Sequence, residues 1–242
     1  MLAIQAICPS PASCNREMGS LMLLGFVSAV ESYVRSLICG VISADEGARI
    51  ASQKEQISFA AATHQSRSVL AEALIEHMSF SSPRRIAEAL KIYAGFRKGA
   101  VERGLSNFGK EFNKACQMRH CIVHRFGRLG SQNALALGFD EYKFYVNERL
   151  DFSYATTQQV ASVCDVFVRS LNNFCYDYVL RRTYHKNYVD WTSDLRKDKP
   201  KFRPYFNLFS SLAHHPTSPS LKCAYEDLRS QVFTERRKPS DW

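Results

Sequence analysis

The sequence predicts an all-α fold, and three observations predict it. The 8 prolines fall at 9, 11, 83, 200, 204, 216, 219 and 239, so the stretch from Asn15 to Asn187 is almost free of helix breakers. Within that stretch apolar residues recur at spacings of three and four, the period of a helix with one buried face. Residues that cap helices stand at the ends of several of these runs. With 45% hydrophobic residues, 16 Phe and 11 Tyr, the chain has enough apolar material for a real core.

The elements follow in order. Residues 21–30 (LMLLGFVSAV) are apolar on all sides, but Arg16, Glu17 and Glu31 bound them, leaving too short a run to cross a bilayer core of about 30 Å. Met22, Phe26, Ala29, Tyr33 and Leu37 continue the period past Glu31, which predicts a core helix rather than a signal peptide. A second helix is predicted from Asp45 to about Thr63, and a third over 66–78. Ser82 before Pro83 is a cap followed by proline at the first helical position, opening a helix through Ile86, Leu90 and Tyr93. Asn107 is expected to cap the next helix, with Phe112, Ala115, Met118, Ile122 and Phe126 facing inward and Gly127 stopping it. Tyr142, Phe144 and Val146 alternate with Lys143, Tyr145 and Asn147, predicting a short hairpin or extended loop over 134–150. Thr156 and Gln159 form a capping-box pattern before the long stripe Val160, Val163, Phe167, Leu171, Phe174 and Tyr178. The expected core is a bundle of five or six helices without internal repeats.

The organisation read from this pattern is an N-terminal segment (1–17), a helical bundle (18–184) and a basic, aromatic-rich C-terminal extension (185–242). In the extension Arg196, Lys197, Lys199, Lys201 and Arg203 crowd one stretch, with Trp191, Phe202, Tyr205 and Phe206 interleaved. Two short helices are expected there, over 206–212 and 221–233. The stretch 196–206 reads equally as a track for an RNA backbone with bases stacked on it, or as a solvated linker whose aromatics pack back on the bundle. The net charge of +9 favours an acidic partner such as nucleic acid but does not require one. The 8 cysteines are scattered, no CxxC pair occurs, and the chain is too long for a small disulfide scaffold; free thiols in a soluble, cytoplasmic protein are expected.

Residues 119–127 read RHCIVHRFG. Four residues separate Arg119 from His124, and His120 follows the arginine. A guanidinium can hold a phosphate and an imidazole can move a proton, which suffices to cut RNA without a metal. On an ideal helix Arg119 and His124 lie about 140° apart and roughly 7.5 Å along the axis, a loose pairing in one copy. Two copies facing each other would gather two arginines and two histidines around one groove. Other readings stand beside this one. Arg119 pairs with a neighbouring carboxylate, or His124 merely favours a helix C-terminus through its charge. Cys116, His120 and His124 also share a helix face that suits zinc, but no further ligand is evident and no metal is expected. Glu31 and Arg35, one turn apart, read as a local ion pair or as support near the site.

The stretch RHCIVHRFG resembles the signature of the HEPN superfamily, whose RNase members carry Arg, a polar residue, three variable residues and His. His120 fills the polar position, and IVH followed by Gly127 matches the form found in HEPN proteins of bacterial defence and toxin loci. SAVESYVRSL (28–37), the mid-chain motif helix and the long closing helix are similar too, so the resemblance covers about 18–184. It implies a homodimeric, metal-independent endoribonuclease with a composite active site, without cofactor or membrane, acting in toxin–antitoxin or anti-phage defence. Arg119, His120 and His124 would be catalytic. Arg125 and, outside the resemblance, Arg196, Lys197, Lys199, Lys201 and Arg203 are the candidate RNA contacts. Products would carry a 2′,3′-cyclic phosphate, and an antitoxin or regulatory partner would restrain the enzyme. The alternative within the same fold is a non-catalytic helical module that binds RNA or a protein.

Overall fold

Asn15 opens the first helix by accepting a hydrogen bond from the Met18 amide at 2.8 Å. The computed structural model describes residues 14–64, 69–106, 108–211, 217–239 and 242; Pro9, Pro11, Asn107 and the start of the helix expected at 66 lie outside them. The fold is all-α. Among the described residues twelve α-helices follow one another: α1 Arg16–Ala44, α2 Glu46–Ser52, α3 Phe59–His64, α4 Leu70–Ile75, α5 Pro83–Ile92, α6 Lys98–Ser106, α7 Gly109–Arg125, α8 Ser131–Leu137, α9 Phe139–Tyr142, α10 Tyr154–His185, α11 Leu195–Phe209 and α12 Leu221–Gln231. A 3-10 turn at Lys143–Tyr145 joins α9 to the segment before α10.

Several expected boundaries move, each for a local reason. The predicted helix over 45–63 is two, because Ser58 caps a new start by accepting from the Ala61 amide at 3.2 Å. The third is shorter than 66–78: α4 ends at Ile75, and the Arg35 guanidinium takes the carbonyls of Ile75 and Met78 at 2.7 and 2.8 Å. The helix opened by Ser82-Pro83 is as expected, with Ile86, Leu90 and Tyr93 buried. The region 134–150 is mostly helical rather than a hairpin; among the described residues its extended pairing is one antiparallel bridge, Arg128 to Arg149. In front of α10 the cap is Ser153 with Asp151, and Thr156 donates to the Asp151 carboxylate at 2.7 Å instead of capping. In the tail, α11 begins at Leu195 and runs through Pro200 and Pro204, which stand four apart on one exposed side.

The buried seam of α1 also differs from the expected stripe. Leu23, Val27, Val30, Val34, Leu37, Ile38 and Val41 are buried, whereas Ala29 is exposed and Phe26 and Tyr33 are half-buried. A helix apolar nearly all round gives no unique period, so the seam lies one residue on, about 100° around the axis. By length and composition α1 is also apolar enough to cross a membrane.

Contacts divide the chain into two units. The first comprises Met1–Val34, Ser79–Ile86 and Arg103–Ser170; the second comprises Arg35–Met78, Ala87–Glu102 and Leu171–Trp242. In the first, Phe112 stacks on Phe167 with ring centroids 4.0 Å apart, fixing α7 against α10. Gly19 lies so close to the chain before α10 that a Cβ would come within 2.0 Å of the Phe152 carbonyl oxygen. Cys121, Leu129 and Ala134 form a small core, with Leu137, Tyr142, Val146 and Leu150 packed on it, that fastens residues 129–150 to α7. In the second unit Phe96 stacks on Tyr178 at 4.0 Å, and Arg182 bonds buried Asp45 at 2.5 Å and the Ala94 carbonyl at 2.7 Å. The C-terminal residues belong here, with Trp191, Phe202, Tyr225 and Phe233 in mutual ring contact.

Candidate functional site

The motif occupies the last two turns of α7. Phe112, Ala115, Cys116 and Cys121 bury one side of this helix, leaving Arg119 half-buried and His120 and His124 exposed on another. The helix ends because Phe126 turns left-handed, at φ 53°, and Gly127 follows at φ 77°. The Phe126 and Gly127 amides both reach back to the Cys121 carbonyl, the latter at 3.0 Å. Gly127 is needed twice over: beyond its φ, a Cβ would lie 2.8 Å from the Arg16 guanidinium and 2.9 Å from the Phe152 ring. Phe126, expected inward, is 95% exposed, since the left-handed turn swings it off the buried side. Met118 and Ile122 are half-buried, so the inward face runs through Cys116 and Cys121 instead.

Among the described residues the side chains of Arg119, His120 and His124 form no hydrogen bond or ion pair. The two imidazoles lie against each other, their centroids 4.6 Å apart with planes tilted by 49°. Partial burial, then the charges of His124 and Arg119, push the His120 pKa below the ordinary histidine value, so this ring favours its neutral form. Glu31 of α1 lies within electrostatic reach of the same turn of α7. Its charge raises the pKa of the Cys116 thiol while Arg119 lowers it, burial being the largest influence and upward. One oxygen of the Glu31 carboxylate is buried and has no hydrogen-bond partner. Cys164 is likewise pushed up, to about 12, by burial. Burial thus favours the protonated form of both thiols at neutral pH, which makes them poor nucleophiles. Among the described residues no group of three or more His, Cys, Asp or Glu is arranged to hold a metal ion, and all the cysteines are free.

The remaining predicted residues lie elsewhere. Arg125 is exposed, its guanidinium donating to the Asn147 side-chain oxygen at 2.8 Å. Arg196, Lys197, Lys199, Lys201 and Arg203 sit on α11 in the second unit, all exposed except the half-buried Lys201, which bonds the Asp190 carbonyl. The aromatics interleaved with them are turned away: Trp191, Phe202 and Tyr205 are buried. The stacking surface expected there is thus absent from the buried rings, although the exposed cations remain available to a polyanion. Sequence reasoning did not single out three exposed aromatics of this unit, Phe126, Phe144 and Tyr145, which are 95%, 79% and 58% exposed. The signal of the last two was present in the alternation over 142–147, but it was read as a strand pattern.

Compared with known proteins, the chain matches no family model, no curated protein and no solved structure.

Proposed function

We propose that this chain is a homodimeric, metal-independent endoribonuclease of HEPN type, acting in toxin–antitoxin or anti-phage defence. One observation carries the reading: an arginine and two histidines on neighbouring turns of one helix, whose side chains have no hydrogen bond or ion pair among the described residues. A half-buried structural arginine is normally consumed by an internal partner, and Arg119 is half-buried beside the exposed His120 and His124. These three are left for something that comes from outside.

His124 takes the proton from a ribose 2′-hydroxyl, whose oxygen then attacks the adjacent phosphorus. The bond from phosphorus to the 5′-oxygen breaks, and His124 of the partner subunit supplies the proton that oxygen needs. Arg119 holds two phosphate oxygens with its planar fork and stabilises the charge that gathers on the pentacoordinate phosphorus. His120, favouring its neutral form, donates a hydrogen bond to the phosphate without adding a second full charge beside Arg119. DNA, lacking the nucleophile, is inert. An antitoxin or regulatory protein restrains the activity in the cell.

Purified protein carrying Arg119→Ala or His124→Ala tests this against labelled RNA. Each substitution is expected to lower the cleavage rate by about 10²-fold or more with an unchanged helical circular-dichroism spectrum. Wild type that binds RNA but does not cut it, with His124→Ala binding alike, would instead make the chain a binding module of the same fold.

A further inference from the structure

We infer that Phe126 is a stacking platform for an unpaired base of the RNA strand held at the Arg119–His124 site, which rests on the endoribonuclease reading above and names its substrate class as single-stranded RNA. Phe126 follows His124 by two residues, is 95% exposed and makes no ring contact among the described residues. Its backbone sits at φ 53°, a conformation that glycine or asparagine takes freely and a bulky aromatic rarely does. Neither the helix stop nor the core asks for a phenylalanine there. The side chain is accounted for only by something outside the chain.

Its neighbours suggest what that is. Arg125 and Arg128 stand on either side of Phe126 in the sequence, and both guanidiniums are braced on Asn147, to its side-chain oxygen and its carbonyl, each at 2.8 Å. The segment that carries Phe144 and Tyr145 is tied back by the Asn147 amide to the Leu129 carbonyl at 2.9 Å and the Leu150 amide to the Gly127 carbonyl at 2.9 Å. Exposed rings interspersed with fixed guanidiniums are the two parts of a single-strand binding surface: cations follow the phosphates and aromatic faces take successive bases. A base inside a duplex offers no free face, so the strand must be unpaired here. The composite site already brings a second copy of the chain to this end of α7, so ring-to-ring contact between copies is the rival. It would crowd the Arg125 and Arg128 guanidiniums of both copies together, whereas a strand held between the copies supplies phosphates that neutralise them.

The test measures binding without cleavage. A fluorescent single-stranded 2′-O-methyl oligonucleotide, which lacks the attacking hydroxyl, is titrated into wild type, Phe126→Ala, Phe126→Leu and Phe126→Trp, with sedimentation run on each. The expected result is about tenfold weaker binding for both Ala and Leu, wild-type binding for Trp with extra fluorescence quenching, and an unchanged oligomeric state. Unchanged affinity in Phe126→Ala, or full rescue by Leu, overturns the inference, as does conversion of Phe126→Ala to a smaller species, which would assign the ring to a protein contact. Because cleavage is read separately, loss of stacking in a chain that still cuts RNA rejects this inference alone. Stacking in a chain that cuts no RNA rejects the nuclease reading alone.

Discussion

His120 and His124 share an edge of α7 one turn apart, so each feels the other's charge. Partial burial is the first cause of the depressed His120 pKa, and His124 is the second. The sign follows directly. The fold prefers neutral His120, so its contribution to stability is complete above the ordinary histidine value and declines as pH falls below it. Proton NMR of the ring resonances should show His120 titrating below the ordinary value of about 6.5. In His124→Ala its midpoint should move up only part of the way, because burial remains; a midpoint that does not move would mean the two rings are not coupled. Arg119 offers a complementary check. Lysine keeps the charge but loses the planar fork, so Arg119→Lys should cut at least about tenfold more slowly than wild type while binding RNA nearly as well.

At the scale of elements, the end of α7 decides where the site faces. A phenylalanine in the left-handed region costs about 1 kcal/mol relative to a residue that accepts it. Phe126→Asn should therefore raise stability to urea by about 1 kcal/mol even as it removes the ring. Gly127→Ala should do the opposite, by about 2 kcal/mol, since a Cβ would meet both Arg16 and Phe152. Equal stability of these two variants would contradict the geometry of the helix stop. This turn also marks the limit of what was legible in the sequence. Gly127 announced a stop, and the cap at Ser82-Pro83 and the stripe through Phe167 and Leu171 were readable because their local chemistry allows one answer. The orientation of Phe126 was not, since the periodicity that places 112 and 115 inward holds only while the backbone stays helical. The seam of α1 escaped for a different reason: when Met22, Leu23, Phe26 and Val27 are all apolar, only packing selects among them.

Across the whole molecule, the all-α class followed from proline placement and helical periodicity, while the part played by the tail did not. Alternating cations and aromatics in 196–206 describe a stacking groove and an amphipathic helix equally well in one dimension. Phe202 and Tyr205 proved to be core, and the cations line the outside of the same helix. The second unit is centred on the buried pair Asp45 and Arg182, which no local pattern joins because 137 positions separate them. Asp45→Ala would leave the guanidinium buried with its carboxylate gone and the cap of α2 lost, and should cost about 3 kcal/mol in chemical denaturation. A loss of a few tenths of a kcal/mol would mean that the pair is solvated in solution.

The central claim is that one guanidinium and one imidazole, doubled by symmetry, cut RNA through its own 2′-hydroxyl. Its most direct measurement is the chemistry of the ends produced when purified protein meets RNA in excess chelator. The account predicts 2′,3′-cyclic phosphate and 5′-hydroxyl termini, absent with His124→Ala. Intact RNA, or cleavage that chelator abolishes, would contradict it.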